Sequence, residues 1–172
     1  LSGAQDLQEP LVEAFTRTLG PEHLDTLLAK RNLALTLLIQ GDLAGARDLF
    51  EQVLEASSRT LGPEHPDTLG AKHNLANTRL SQGDFASAQG LFEEVLEAFT
   101  RTLGPEHPET LGAKHNLGLT LASQGDLAGA ADLFEQALEG FTRTLGPEHP
   151  DTLRAKDNLS MALAQLGKAV DR

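Results

Sequence analysis

Between Phe85 and Leu103 the apolar residues Phe85, Ala88, Leu91, Phe92, Val95, Leu96, Phe99 and Leu103 recur at three- and four-residue spacing, which gathers them on one face of an α-helix. A shorter set just before it, Leu69, Leu75 and Leu80, also has helical rather than alternating spacing. Gln82-Gly83-Asp84 separates the two as a tight break, with Gly closing one helix and Asp capping the next. The first helix, A, is predicted from about Pro66 to Ser81. His65 stands where an N-cap would be, Pro66 suits the first helical position, and Asp67 in the first turn favours the helix dipole. The stripe on the second helix, B, needs a partner, and two antiparallel helices joined by a short loop and stacked on the next pair provide one.

The whole pattern returns every 42 residues. Leu61-Gly62-Pro63-Glu64-His65 has counterparts starting at Leu19, Leu103 and Leu145. Gly suits a left-handed helix end and Pro cannot continue the helix, so each Gly-Pro marks the close of a B helix. Cutting there gives repeats at 21–62, 63–104 and 105–146, with a helix-B-only partial unit at 1–20 and a helix-A-only partial unit at 147–172, one array over 1–172. The second and third repeats agree at 30 of 42 positions, the mark of recent duplication or a designed consensus. Fixed-period repetition of this length predicts a stacked array in which each repeat contacts its neighbours. The expected fold is all-α, a right-handed superhelical solenoid of antiparallel helix pairs, B-A-B-A-B-A-B-A. The chain opens on Leu1 part-way through a period, which suggests a piece of a longer protein.

Three departures are visible. Arg79 stands where Leu37, Leu121 and Leu163 stand in the other copies, so either its stem lies along the helix pair or Leu80 takes over the packing. Gln8 replaces the Phe of Phe50, Phe92 and Phe134. Pro10 falls inside the first B helix, where it costs on the order of 3 kcal/mol and predicts a kink or a start near Pro10.

Charge and composition narrow the function. A net charge of -11 opposes a phosphate backbone or an anionic membrane surface and favours a basic or neutral partner, although acidity also serves solubility alone. The absence of cysteine removes disulfides, thiolate metal sites and cysteine nucleophiles, and is compatible with the expected cytoplasmic location. No apolar run has the length of a membrane span. Neither a Gly-x-Ser-x-Gly turn nor a phosphate-binding Gly-rich loop is present, so neither an enzyme nor a cofactor is expected.

The residues Asn116-Leu117-Gly118, Gly125-Asp126, and Ala130, Phe134 and Ala137 resemble the tetratricopeptide repeat, whose small and large residues interlock helices A and B. The period is 42 rather than the usual 34, and eight residues are about two helical turns, placed in the second half of helix B. With His-Pro-Asp-Thr-Leu, Asn-Leu-Ala and Gly-Asp in these places, the repeat is similar to those of kinesin light chain and of bacterial multi-repeat proteins. The resemblance implies a non-enzymatic scaffold that holds a peptide or protein segment on a concave face built from the A helices. In some bacterial relatives it also implies a regulatory arm of an ATPase or protease-like protein.

On that face the spacing places Leu28, Arg31, Leu35 and Leu38, then Gly70, His73 and Asn77, then Gly112, His115, Leu119 and Ser123, then Arg154, Asp157, Met161 and Gln165. Asn32, Asn74, Asn116 and Asn158 border it, and the resemblance matches them to positions that touch ligand backbone. An Asn can donate and accept at once, so it either clamps a ligand peptide group or bonds a neighbouring helix. His73 and His115 are expected in the groove, because the Leu two residues later fills the helix seam. Lys30, Lys72, Lys114 and Lys156 run one residue before the face as ion-pair partners of the acidic B helices or as holders of a ligand carboxylate. The loop pairs Glu22-His23, Glu64-His65, Glu106-His107 and Glu148-His149 supply too few ligands per repeat for a metal, and order the turns instead. Complementary ends, a B helix without its A and an A helix without its B, also allow head-to-tail self-association.

Overall fold

The structure, a computed structural model, describes residues 2–170, without the side chains of 2–4, 6 and 168–170. Every regular element among them is an α-helix: α1 (Ser2–Thr18), α2 (Leu24–Gln40), α3 (Leu43–Thr60), α4 (Pro66–Ser81), α5 (Phe85–Thr102), α6 (Pro108–Gln124), α7 (Leu127–Leu145) and α8 (Pro150–Val170). Two compact units result, Leu1–Gly83 with α1 to α4 and Asp84–Arg172 with α5 to α8. The boundary lies between the two helices of the 63–104 repeat rather than at a Gly-Pro. Within each unit every helix packs on the next in sequence.

Each A helix begins in the same way. His23, His65, His107 and His149 are N-caps whose Nδ1 accepts the backbone N–H two residues on, at 3.2 to 3.3 Å. The bond satisfies one of the donors that a helix start leaves without an internal partner. Each B helix from α3 onward starts at an Asp cap, as where Gly129 donates to Asp126 Oδ1 at 2.9 Å. The Gly before each Pro turns the chain with positive φ, as at Gly62 with φ +97°, a conformation open to glycine at little cost.

Two further ties hold the loop that opens a repeat. Thr26, Thr110 and Thr152 are buried, and each donates its hydroxyl at 2.8 Å to the carbonyl of the loop glycine six residues back. Arg59 and Arg143, in the added turns of α3 and α7, pair with Glu22 and Glu106 in the loop that opens the same repeat. The two extra turns of helix B therefore reach back and brace the loop of their own repeat.

In the first unit Leu27, Val53, Ala56 and Ala71 form a core cluster joined by Leu54. In the second, Leu111, Ala137, Phe141 and Ala155 form one cluster, and Ala130, Ala131, Phe134 and Ala162 another. Phe50, Phe92 and Phe134 are among the largest fully buried side chains, in keeping with the stripe read from the sequence.

Two of the departures resolve individually. Helix α1 runs on through Pro10 instead of starting there; Pro10 is exposed, so the carbonyl that loses its partner can turn to water. Arg79 is half-buried and donates from Nη2 to Glu51 on α3, which keeps its charge paired.

Candidate functional site

The A helices α6 and α8 of the second unit face each other across a cleft of ≈ 210 Å³. Leu119 and Ala122 of α6, Leu127 and Phe134 of α7, and Met161 and Ala162 of α8 supply its apolar lining, and Ser123, Asn158 and Gln165 supply hydroxyl and amide groups. No lining residue is charged. Acidic side chains are carried instead by the B helices: Glu93, Glu94 and Glu97 of α5 and Asp132, Glu135 and Glu139 of α7 are all exposed. The chain's strong negative charge thus says little about what the cleft would take.

Leu119 and Asn158, two of the residues singled out from the sequence, meet in this cleft. The Asn158 Nδ2 donates to His115 Nε2 at 3.1 Å, so at this position one side of the amide is committed to the neighbouring A helix while Oδ1 can still accept. His115 itself departs from expectation. It is only 9 % exposed, with its ring 5.3 Å from that of Phe134, so it sits behind the cleft as core and not on a groove surface.

Gly118 is the physical reason. A Cβ there would meet Phe134 at 2.8 Å, so its absence lets the Phe134 ring approach α6 beside His115. The counterparts of Gly118 in the first two repeats are Ala34 and Ala76. Burial pushes the His115 imidazole down to about 4, with the Arg154 charge acting in the same direction and Asp151 against it. A ring that receives a bond at Nε2 and avoids charge is the neutral tautomer with its proton on Nδ1, and Nδ1 is enclosed without a hydrogen-bond partner.

In the first unit Arg31 of α2 lies 3.5 Å from the Asp67 carboxylate of α4. Both border a hollow of only ≈ 10 Å³ with Leu24, Leu28, Val53 and Ser57, about the room one water needs. His73, Asn74, Asn77, Leu35 and Lys72 of this unit are half-buried, as are Asn116 and Lys114 of the second, while Asn32 is exposed. Lys30 turns to the B helix: its Nζ donates to Gln52 of α3 at 3.0 Å, beside Glu55 and Arg59, and burial lowers its affinity for a proton. Among the described residues no three His, Asp or Glu converge to hold a metal ion, and no helix is long and apolar enough to cross a membrane.

Ala122, Ala162 and Leu127 were absent from the sequence reading of the site. Ala122 and Ala162 carry a trace of it, since Leu38 and Leu80 occupy the place of Ala122 in the earlier copies and Thr36, Thr78 and Thr120 that of Ala162.

Comparison with known proteins agrees with this architecture. Two crystal structures of the kinesin light chain nearly identical TPR-like repeats of Podosopora anserina, one of them of a single-substitution variant, are 31 % identical to this chain. They superpose with TM-scores of 0.84 and 0.83 over 99 % of it and 80 % and 81 % of their own length. BtubC (BKLC) from P. vanneervenii, at 24 % identity, shares the fold with a TM-score of 0.85 over 96 % of this chain and 68 % of its own. No curated protein sequence matches significantly. The Tetratricopeptide repeat family model matches residues 3–57, 25–100, 67–143 and 110–170, and with the 42-residue helix pairs and their interlocking Ala and Phe positions it shows that the chain belongs to the tetratricopeptide repeat family, protein-interaction scaffolds that are typically non-enzymatic.

Proposed function

We propose that the chain binds an extended peptide or protein segment along the faces of its A helices, with Asn74, Asn116 and Asn158 contacting ligand backbone. The observation that carries this reading is the open, uncharged cleft between α6 and α8, where Leu119 and the free side of Asn158 stand together. An amide that accepts from a peptide N–H beside an apolar hollow holds a chain by its backbone and leaves side chains to be sorted by shape. Arg31, His73, Asn77, Leu35, Lys72 and Lys114 extend the same faces. Selection of binders from a displayed peptide library tests the reading. Asn74→Ala with Asn116→Ala is expected to weaken a selected peptide at least tenfold and leave the melting temperature nearly unchanged; a large stability loss with binding retained would make these side chains structural.

Self-association through the outer helices is a second reading, favoured by a specific pattern of exposure. Leu163 of α8 is 53 % exposed, where its counterpart Leu37 is 7 % exposed under α3. Leu7 of α1 is 77 % exposed, and its counterparts stand in the stripes of the other B helices. A second copy's α1 on this α8 would bury both and repeat head to tail. Sedimentation across a wide concentration range is expected to show growing species; a strict monomer throughout would remove this reading.

A further inference from the structure

The cleft of the second unit differs from its counterpart in the first, with smaller side chains beside its Phe floor and larger ones at its rim. Leu38 and Thr78 of the first unit are matched by Ala122 and Ala162 in the second, two exchanges of a larger side chain for a smaller one around the same floor position, Phe50 in one and Phe134 in the other, and the exposed Ile39 is matched by Ser123. A polar tie also gives way to apolar packing, since Leu166 lies against the cluster of Phe134 and Ala162. In the first unit Gln82 Nε2 donates to the Leu43 carbonyl at 3.0 Å, whereas the residue in the place of Gln82 is Leu166 and that in the place of Leu43 is Leu127. The residues that enlarge, Asn77 to Met161 and Ser81 to Gln165, are at the rim, and Met161 is 59 % exposed.

We infer that the α6–α7–α8 cleft is a side-chain pocket that selects one uncharged aliphatic residue of the bound segment. The inference rests on the groove reading above and adds the feature that gives it selectivity. At ≈ 210 Å³ the cleft is smaller than the roughly 300–1,000 Å³ of a drug-sized ligand site, and so fits a single side chain with the adjoining peptide group. Leu119, Leu127 and Phe134 offer only apolar surface, where an ammonium or carboxylate would lose its water without a counter-charge. Met161 at the mouth is unbranched and can re-form around aliphatic chains of different shape. Asn158, held by His115 through Nδ2, presents Oδ1 to the peptide N–H of the anchored residue.

Met161 is the one methionine in the sequence, so its methyl group labelled with carbon-13 gives a single resonance at the pocket mouth. Titration with N-acetyl-leucine N-methylamide is expected to shift that resonance saturably. The corresponding lysine and glutamate amides are expected to bind at least tenfold more weakly. Ala122→Leu with Ala162→Thr, which restores the residues of the first unit, is expected to abolish the shift with helix content retained. No shift with the leucine amide, equal response to all three amides, or a shift that survives the filled variant would overturn the pocket. The same filled variant separates this failure from failure of the groove: peptides selected against the chain that bind the filled variant unchanged leave the groove reading standing without the pocket. A library that yields no binders removes the groove reading whatever Met161 does.

Discussion

Protonation of His115 offers a direct measure of how far the second unit is packed behind its cleft. The imidazole lies at about 4 because it is buried, against about 6.5 for an unfolded histidine. Its neutral form is thus the one the folded state accepts, and the folded state binds fewer protons than the unfolded chain between those values. The contribution to stability is complete above about pH 6.5 and is lost as the pH falls toward 4. At pH 5 the unfolded histidine is almost fully charged and the folded one almost neutral, which sets the loss at about 2 kcal/mol. Urea denaturation of the protein and of His115→Leu at pH 7.5 and pH 5 isolates the term, because the other five histidines remain in both and cancel in the difference. The protein is expected to lose about 2 kcal/mol more than the variant. A midpoint near 6.5 for the His115 ring in an NMR titration, or equal losses in both proteins, would refute the burial and the tautomer derived from it.

Three other outcomes follow from the packing. Phe92 is fully buried, and Phe92→Ala is expected to cost about 3–5 kcal/mol in denaturant unfolding; a cost below about 1 kcal/mol would mean that the register of α5 is wrong. Gly118→Ala sets a helix-propensity gain of about 0.5–1 kcal/mol against a Cβ placed 2.8 Å from Phe134. With the ring also held against His115, a net loss of about 1 kcal/mol is expected, and a gain in melting temperature would show that the ring yields freely. His107→Ala removes the acceptor for Glu109 N–H and is expected to cost about 1 kcal/mol, measured as faster amide exchange at the start of α6; unchanged exchange would discount the cap.

Much of the architecture was legible because the features that build it are local and repeated. The range of α4, Pro66–Ser81, follows from a cap, a proline and an apolar spacing that all lie within the segment, and four copies of Gly-Pro leave little choice about where B helices end. What escaped depends on residues distant in sequence. The placement of His115 is set by Gly118 one turn on, by Phe134 on the next helix and by Asn158 43 residues away; spacing along α6 alone put the ring on the wrong side of the boundary between groove and core. The expected start at Pro10 failed for another reason. The sequence gives the loss of one backbone bond but not the exposure of the surrounding turn, and exposure decides how much that loss matters.

The repeats also differ among themselves in an informative way. Between the A helices of repeats 63–104 and 105–146, Asp67 and Glu109 exchange one acid for another, and every other difference falls within five positions: Ala76 and Gly118, Asn77 and Leu119, Arg79 and Leu121, Leu80 and Ala122. The first half of each helix, with its His cap, buried Thr and Lys, is identical apart from that acid. A core that needed only to stack one repeat on another would have no reason to hold one half fixed and vary the other, since both halves pack against B helices. Leu119 and Ala122 border the cleft, and Gly118 sets the position of its Phe134 floor. On the groove reading proposed above, the fixed half makes the repeat and the variable half gives each A helix a different surface to offer a ligand. On this reasoning, exchanging residues 76–80 for 118–122 as a block should transfer the side-chain preference of a bound peptide without altering the helix pair that carries it.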